Sequence, residues 1–348
     1  MKINGNENIL VIQTAYLGDL AMTLPMVQVL KKNYPKINID IICLPDTSKL
    51  IENNPYLRNV IKYDKRKTEK GILPTWSLIK RVQLNNYNIA LIPHPSLRSS
   101  IIACLGKINV RVGFSKSAGK FLFTHITPFN KFQHEVERNI SLLENLGISP
   151  SKKETSEYYP SLKEKNNIEN IIQKNTNDEI GIITIAPGSV WKTKRWMPER
   201  FAEVISELIK KNYLVFAIGG TSEDGIGKQI SELVSSSKFI NLIGKLSLLE
   251  SIELIKRSVL LISNDSAPLH ISSGVNTPVV GIYGPTDPRF GFWPYGENDV
   301  IIETNNLSCR PCGMHGGDKC PIGTWECMEK ISSKKVLEGV ENIISTKK

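Results

Sequence analysis

The stretch ILVIQTAYLGDLAMTLPMVQVLKKNYP, residues 9–35, decides the fold. Ile9–Ile12 is a short apolar run of the kind that fills a buried strand. The chain passes through small and polar residues to Leu17-Gly18-Asp19. Apolar positions at Leu20, Leu24, Val27 and Leu30 then follow at helical spacing. A buried strand that hands over at once to an amphipathic helix is the first half of a βα crossover. Gly18 permits the tight turn. Asp19 falls in the first helical turn, where free N–H groups and the helix dipole favour a carboxylate. It reads either as a helix cap contributing about 1 kcal/mol, or as a general base at the carboxyl end of the first strand.

The same alternation runs along most of the chain. Strands are expected at 8–13, 38–43, 58–63, 88–92 and 109–113, with a helix over 20–33. The polar stretch 148–178, with Pro150 and Pro160, reads as a linker plus one short helix. Beyond it, strands are expected at 181–186, 213–218, 258–263 and 278–283. Helices are expected at 198–211, 224–236, 248–257 and 267–274, with a last one near 332–345. The chain therefore reads as two open α/β domains with parallel sheets, residues 1–165 and 166–348, the last helix being available to pack back toward the first domain. Ligands in such sheets bind beyond the carboxyl ends of the strands. A cleft between two such domains is the expected site.

The 348 residues are 41% hydrophobic and 22% charged, as in a globular protein. No apolar run approaches the roughly 20 residues of a membrane span, and the N-terminus lacks a signal-peptide layout, so a cytoplasmic location is expected. A net charge of +10 favours anionic partners: phosphate-bearing molecules or an acidic membrane face. Part of that charge reads equally as genome composition. The lysines are dispersed and no aromatics interleave with them, which disfavours nucleic acid.

Three segments of the second half point to an anionic ligand. In IAPGSVWKTKRWMPERF (185–201), Gly188 and Ser189 form a turn followed by Lys192, Lys194 and Arg195. Backbone N–H groups and clustered cations suit a diphosphate; a solvated basic loop is the plainer alternative. GxxxxGK[ST] spacing is absent. In IGGTSEDG (218–225), Glu223 suits ribose hydroxyls or a simple N-cap region, and the absence of GxGxxG disfavours a dehydrogenase. In LLISNDSAPLH (260–270), a strand runs into Asp265, Ser266 and Ala267 at a helix start, with Pro268 in the first turn and His270 beside it. The next strand ends in Gly284-Pro285-Thr286-Asp287-Pro288.

On the first half, Arg98 in HPSLRSS, Arg111 in RVGF and His134 read either as contacts for a phosphorylated or carboxylated acceptor, or as ordinary surface and helix-start residues. Near the C-terminus, Cys309, Cys312, Cys320 and Cys327 follow C-x2-C-x7-C-x6-C spacing. That pattern admits a structural zinc with His315 as a spare ligand, free thiols, or disulfides formed on isolation.

LGD near the N-terminus, PGS-x-W-x-TKRW, NDSAPLH and TPVVGIYGPTDP, in that order, resemble glycosyltransferase family 9, the ADP-heptose:lipopolysaccharide heptosyltransferases. The His134/Glu135/Arg138 segment and the C-terminal cysteines are similar to its heptosyltransferase II subgroup. The resemblance implies a GT-B fold of two Rossmann-like domains, the N-terminal one for acceptor and the C-terminal one for nucleotide sugar. It implies inverting, metal-independent chemistry with no cofactor needed for catalysis. Carried over, Asp19 is the base, with Thr14 to Leu17 beside it and Tyr16 on the donor side. Lys194 and Ser189 meet the diphosphate and Glu223 the ribose, while Asp265, Ser266, Ala267 and His270 line the donor pocket. The implied partners are an ADP-sugar and a lipid-linked oligosaccharide, the lipopolysaccharide inner core, reached at the cytoplasmic membrane face. Many relatives carry Lys or Arg where this chain has Gln13, which would pass that task to Lys192 or Arg195. Rival readings are a sugar-nucleotide epimerase, a nucleotide-sugar-binding protein without transferase activity, and a nucleic-acid binder.

Overall fold

The structure, a computed structural model, describes residues 3–149, 152–176 and 181–346. Pro150 and residues 177–178 of the expected linker lie outside these. The chain divides into two compact units, Met1–Tyr159 and Pro160–Lys348.

The first unit runs β1 (Asn8–Ile12), α1 (Leu17–Asn33), β2 (Asn38–Cys43), α2 (Pro45–Ser48), β3 (Asn59–Lys62), α3 (Ile72–Leu84), β4 (Ile89–Ile92), α4 (Leu97–Leu105), β5 (Val110–Phe114), β6 (His125–Thr127) and α5 (Glu135–Ser141). Its sheet has the order β3-β2-β1-β4-β5-β6, parallel throughout. This is the doubly wound order, with the switch point beside β1. Val11 pairs with Ile41 on one side and Leu91 on the other. A central strand covered on both faces needs an apolar residue at every position, and Ile9 to Ile12 are fully buried. Leu78, Ile79 and Val82 of α3, Ile102 and Ala103 of α4, and Phe123 share one core with Leu10 and Ile12. Those segments therefore form a single layer over one face of the sheet, while α1 packs against α5.

The second unit runs α6 (Leu162–Asn175), β7 (Ile182–Ala186), α7 (Pro198–Lys210), β8 (Leu214–Ala217), α8 (Asp224–Leu233), β9 (Phe239–Asn241), α9 (Leu248–Arg257), β10 (Leu260–Asn264), α10 (Ala267–Ser272), β11 (Val279–Tyr283), β12 (Val300–Glu303), α11 (Glu326–Glu329) and α12 (Ser333–Thr346). The sheet order β12-β11-β10-β7-β8-β9 is again parallel and repeats the first topology. The short helix expected in the linker is α6, opened by a reciprocal cap between Ser161 and Glu164. The apolar stripe of α12, Val336, Val340 and Ile343, enters the core formed with α7 and β10.

Periodicity did not announce several elements. The edge strands β6 and β9 span three residues each and β12 four. The α3 sequence begins ILPTW, with two exposed aliphatics and Pro74, which breaks the amphipathic pattern. α4 has only nine residues.

Candidate active site

In the second unit, four adjacent strands, β11, β10, β7 and β8, end at one edge, and each end carries polar residues. The loop after β7 places Lys194 in a short 3-10 turn over Lys192–Lys194. Lys194 Nζ lies 2.6 Å from Asp265 Oδ2, at the end of β10. The Thr286 hydroxyl, from the turn after β11, donates to the same oxygen at 2.6 Å. Both members of the ion pair are buried. Asn264, wholly buried, ties two of these loops together. Its Nδ2 donates to Pro187 O at 2.7 Å, and its Oδ1 accepts the Trp196 N–H at 3.2 Å. Ser266 caps α10.

His270 is buried on α10, and burial, aided by the Lys194 charge and opposed by Asp265, lowers its pKa to about 4. It therefore serves this edge as a neutral imidazole at pH 7. Glu223 accepts the Gly220 N–H at 2.9 Å, and burial raises its carboxyl above the usual range. It lies over Gly188 so closely that a Cβ there would stand 1.9 Å from Glu223 Oε1. Ser189 is buried in the same loop and its carbonyl accepts Arg195 Nε at 2.8 Å. Lys192 is exposed.

The cysteine-rich segment reaches this edge by its backbone. Thr193 Oγ1 donates to Gly317 O and accepts Gly317 N–H, both at 2.8 Å. Arg310 donates to Thr286 O at 2.7 Å. Among the described residues, no group of three or more His, Cys, Asp or Glu side chains could hold a metal ion. The four cysteines are free thiols: Cys327 is buried on α11, Cys312 is exposed, and Cys312 Sγ turns to Cys309 O at 3.4 Å. Burial, with the charges of the neighbouring Cys312, Cys320 and Cys309, pushes the Cys327 thiol up to about 11.

In the first unit, α1 starts at Leu17 with Tyr16 as its cap residue. Asp19 Oδ2 accepts the Tyr16 N–H at 3.0 Å, so the capping reading is realised. A carboxylate has about four lone-pair sites, so a cap of this kind does not exhaust it. Gln13 is buried and satisfied: it donates to Thr23 Oγ1 at 2.9 Å and accepts the Ala15 N–H at 3.2 Å. A cation there would be buried. The cations at this edge come instead from the loop after β3. Lys65 Nζ donates to Thr14 Oγ1 at 2.8 Å, and the Arg66 guanidinium lies 3.9 Å above the Tyr16 ring. Burial, with the charges of Arg66 and Arg98, lowers Lys65 to about 8.

Arg98 belongs to this cluster at the start of α4. Arg111 does not: near the amino end of β5 it donates to Leu122 O at 2.6 Å and Ile108 O at 2.5 Å, which makes it a backbone tie. His134 caps α5, its Nδ1 accepting the Val136 N–H at 3.2 Å. Next to it, Glu135 pairs with buried Arg138 at 2.5 Å. Burial and the charge of Asp19 raise Glu135 to about 7, against the pull of Arg138. The sequence signal that could have found Lys65 and Arg66 is the run Asp64-Lys65-Arg66-Lys67 just past a strand end.

Two doubly wound parallel sheets of this kind match the GT-B-like architecture of heptosyltransferase structures. The profile of glycosyltransferase family 9 (heptosyltransferase) matches residues 75–318. Lipopolysaccharide heptosyltransferase 3 of Escherichia coli strain K12 is 30% identical over 310 residues, covering 85% of this chain and 88% of that protein. The crystal structure of a family 9 glycosyl transferase from Veillonella parvula superposes with a TM-score of 0.88 at 23% identity, over 99% of both chains. The E. coli ADP-heptose lps heptosyltransferase II structure gives 0.78 at 23% identity, over 98% of this chain and 100% of that one. The chain belongs to glycosyltransferase family 9, and it is a glycosyltransferase.

Proposed function

We propose that the protein transfers a heptose from ADP-heptose to the inner core of lipopolysaccharide, with inversion and without a metal. Relatives are named as a lipopolysaccharide heptosyltransferase and an ADP-heptose lps heptosyltransferase, which supports the heptosyl transfer. The observation that carries the reading is Lys194, presented by Asp265 and Thr286 at the edge where four strand ends meet. A cation held in that way meets the donor diphosphate together with Ser189, while neutral His270, Ser266 and Ala267 line the sugar side and Glu223 holds the ribose. Asp19 takes the proton of an acceptor hydroxyl as its oxygen bonds to the anomeric carbon. The bond from that carbon to the diphosphate oxygen breaks, and the departing charge is stabilised by Lys194. Lys65, Arg66 and Arg98 receive an anionic acceptor, and Tyr16, beside the base, contacts the donor. The acceptor is lipid-linked, so the enzyme works in peripheral contact with the cytoplasmic membrane face.

The test is Asp19→Asn with ADP-heptose and a core acceptor. Release of ADP should fall by roughly 10²- to 10⁴-fold while donor affinity stays unchanged. Undiminished turnover would remove Asp19 from the role of base. Donor binding by the wild type with no turnover on any core acceptor would favour a binding protein instead.

A further inference from the structure

From Lys70 to His134 the chain carries nine Lys and Arg and no Asp or Glu, nearly the whole net charge of the protein. The same stretch holds nine of the fourteen large apolar side chains that stand exposed among the described residues. A long segment that is one-signed in charge and also rich in exposed aliphatic and aromatic groups is unusual for a surface facing water alone.

The fold gathers these residues. α3, α4 and the segment ending at Phe123 form one layer over the first sheet, held by one core. α3 turns Leu78, Ile79 and Val82 inward. Leu73, Trp76, Lys80 and Leu84 recur every three or four residues and make its opposite, outward stripe. Ile72 is 85% exposed, and Leu73 and Leu84 are 81% exposed each. Leu97 opens α4, and a Cβ on Gly119 would stand 3.3 Å from it, which puts the turn bearing Lys120 and Phe121 beside the start of α4. Phe121 is also exposed, and Lys80, Arg81 and Lys120 are exposed cations among these apolar groups.

We propose that this outer layer of the first unit is the surface that docks on an anionic lipid bilayer. The inference rests on the lipid-linked acceptor of the proposed function and deepens it by assigning the contact to α3, the start of α4 and the turn at 120–121. A bilayer interface supplies both things the layer lacks: apolar depth for Leu73, Trp76, Leu84 and Phe121, and negative headgroups for the cations between them. Lysines in such a stripe lay their methylenes along the apolar surface and lift the ammonium to the phosphates. A second copy of the chain fits poorly, because pairing two such layers sets cations against cations with no acid to relieve them.

The experiment is vesicle flotation of the full-length protein without donor or acceptor, using phosphatidylglycerol–phosphatidylethanolamine vesicles and, in parallel, phosphatidylcholine alone. Wild type should float with the anionic vesicles and be released by high salt. Lys80→Glu with Lys120→Glu, and separately Leu73→Gln with Leu84→Gln, should each weaken binding by roughly tenfold. Both pairs should retain the wild-type kcat/KM on a delipidated, water-soluble acceptor. Equal flotation with neutral vesicles, binding indifferent to both variant pairs, or no binding by wild type overturns the proposal. So does a wild-type dimer that Leu73→Gln with Leu84→Gln dissolves. If the anionic-vesicle results hold but no transfer occurs, the surface stands and the transfer reading fails.

Discussion

Asp265 Oδ2 receives Lys194 Nζ and the Thr286 hydroxyl, both at 2.6 Å. One carboxylate oxygen thus joins the loops after β7, β10 and β11. Asp265 serves the site chiefly by fixing where Lys194 points, because its Oδ2 already faces two donors.

Replacing that carboxylate while keeping its shape tests this division of labour. Asp265→Asn leaves buried Lys194 without a counter-charge, and breaking such a pair costs roughly 3 kcal/mol, read as a lower urea midpoint. The donor KM should rise by about tenfold or more as Lys194 loses its orientation. Thr286→Val removes only the hydroxyl and should cost about 1 kcal/mol. If Asp265→Asn leaves both stability and KM unchanged, the carboxylate is not what holds Lys194.

Gly188 is the position where space decides the outcome. A Cβ would meet Glu223 Oε1 at 1.9 Å and its Cδ at 2.0 Å. Gly188→Ala should therefore displace Glu223 and weaken nucleotide binding by about tenfold, or destabilise the loop by roughly 1–3 kcal/mol. Gly225 in α8 has nothing within 4 Å of its virtual Cβ. Gly225→Ala should be neutral or stabilise by up to about 1 kcal/mol, which makes it the control in the same thermal-melt series. Equal behaviour of the two variants would mean that Glu223 is not seated over Gly188.

Two buried groups should bend the stability–pH profile in opposite directions. Glu135 has a folded pKa of about 7 against an ordinary 4.5. Its protonated form is favoured by folding, so its contribution is full below 4.5 and is lost as pH rises through 7. His270 has a folded pKa of about 4 against 6.5. Its contribution is full above 6.5 and is lost as pH falls toward 4. In urea titrations, Glu135→Gln should flatten the decline between about pH 5 and 7, and His270→Gln should soften the loss below pH 6. A profile that neither substitution alters would show that these groups titrate normally in the folded chain.

The doubly wound architecture was readable because central parallel strands must be apolar throughout: β1, β7, β10 and β11 appear as VIL-rich runs that give way to small or polar residues. Lys194, Asp265, Ser266 and Glu223 were readable for the same reason, since each follows such a run by a few residues. Arg111 misled because the amino and carboxyl ends of a strand look alike in sequence when the strand is short; only the fold shows that its guanidinium ends on the Ile108 and Leu122 carbonyls. Lys65 was hidden for a different reason. It binds Thr14 across 51 positions, and no local pattern records a contact so distant in the chain. The membrane-facing layer was hidden by averaging: a dispersed charge of +10 conceals that one stretch lacks acids altogether.

The setting of Lys65 has a chemical corollary. An ammonium whose pKa is about 8 is half unprotonated at mildly alkaline pH, unlike a solvated lysine near 10.4. Lys65 is therefore poised as an amine nucleophile. An amine-acylating reagent used sparingly would mark it early, and an acceptor seated on Thr14, Arg66 and Arg98 would shield it. The crowding of cations that suits an anionic sugar thus also provides a covalent handle on the acceptor side.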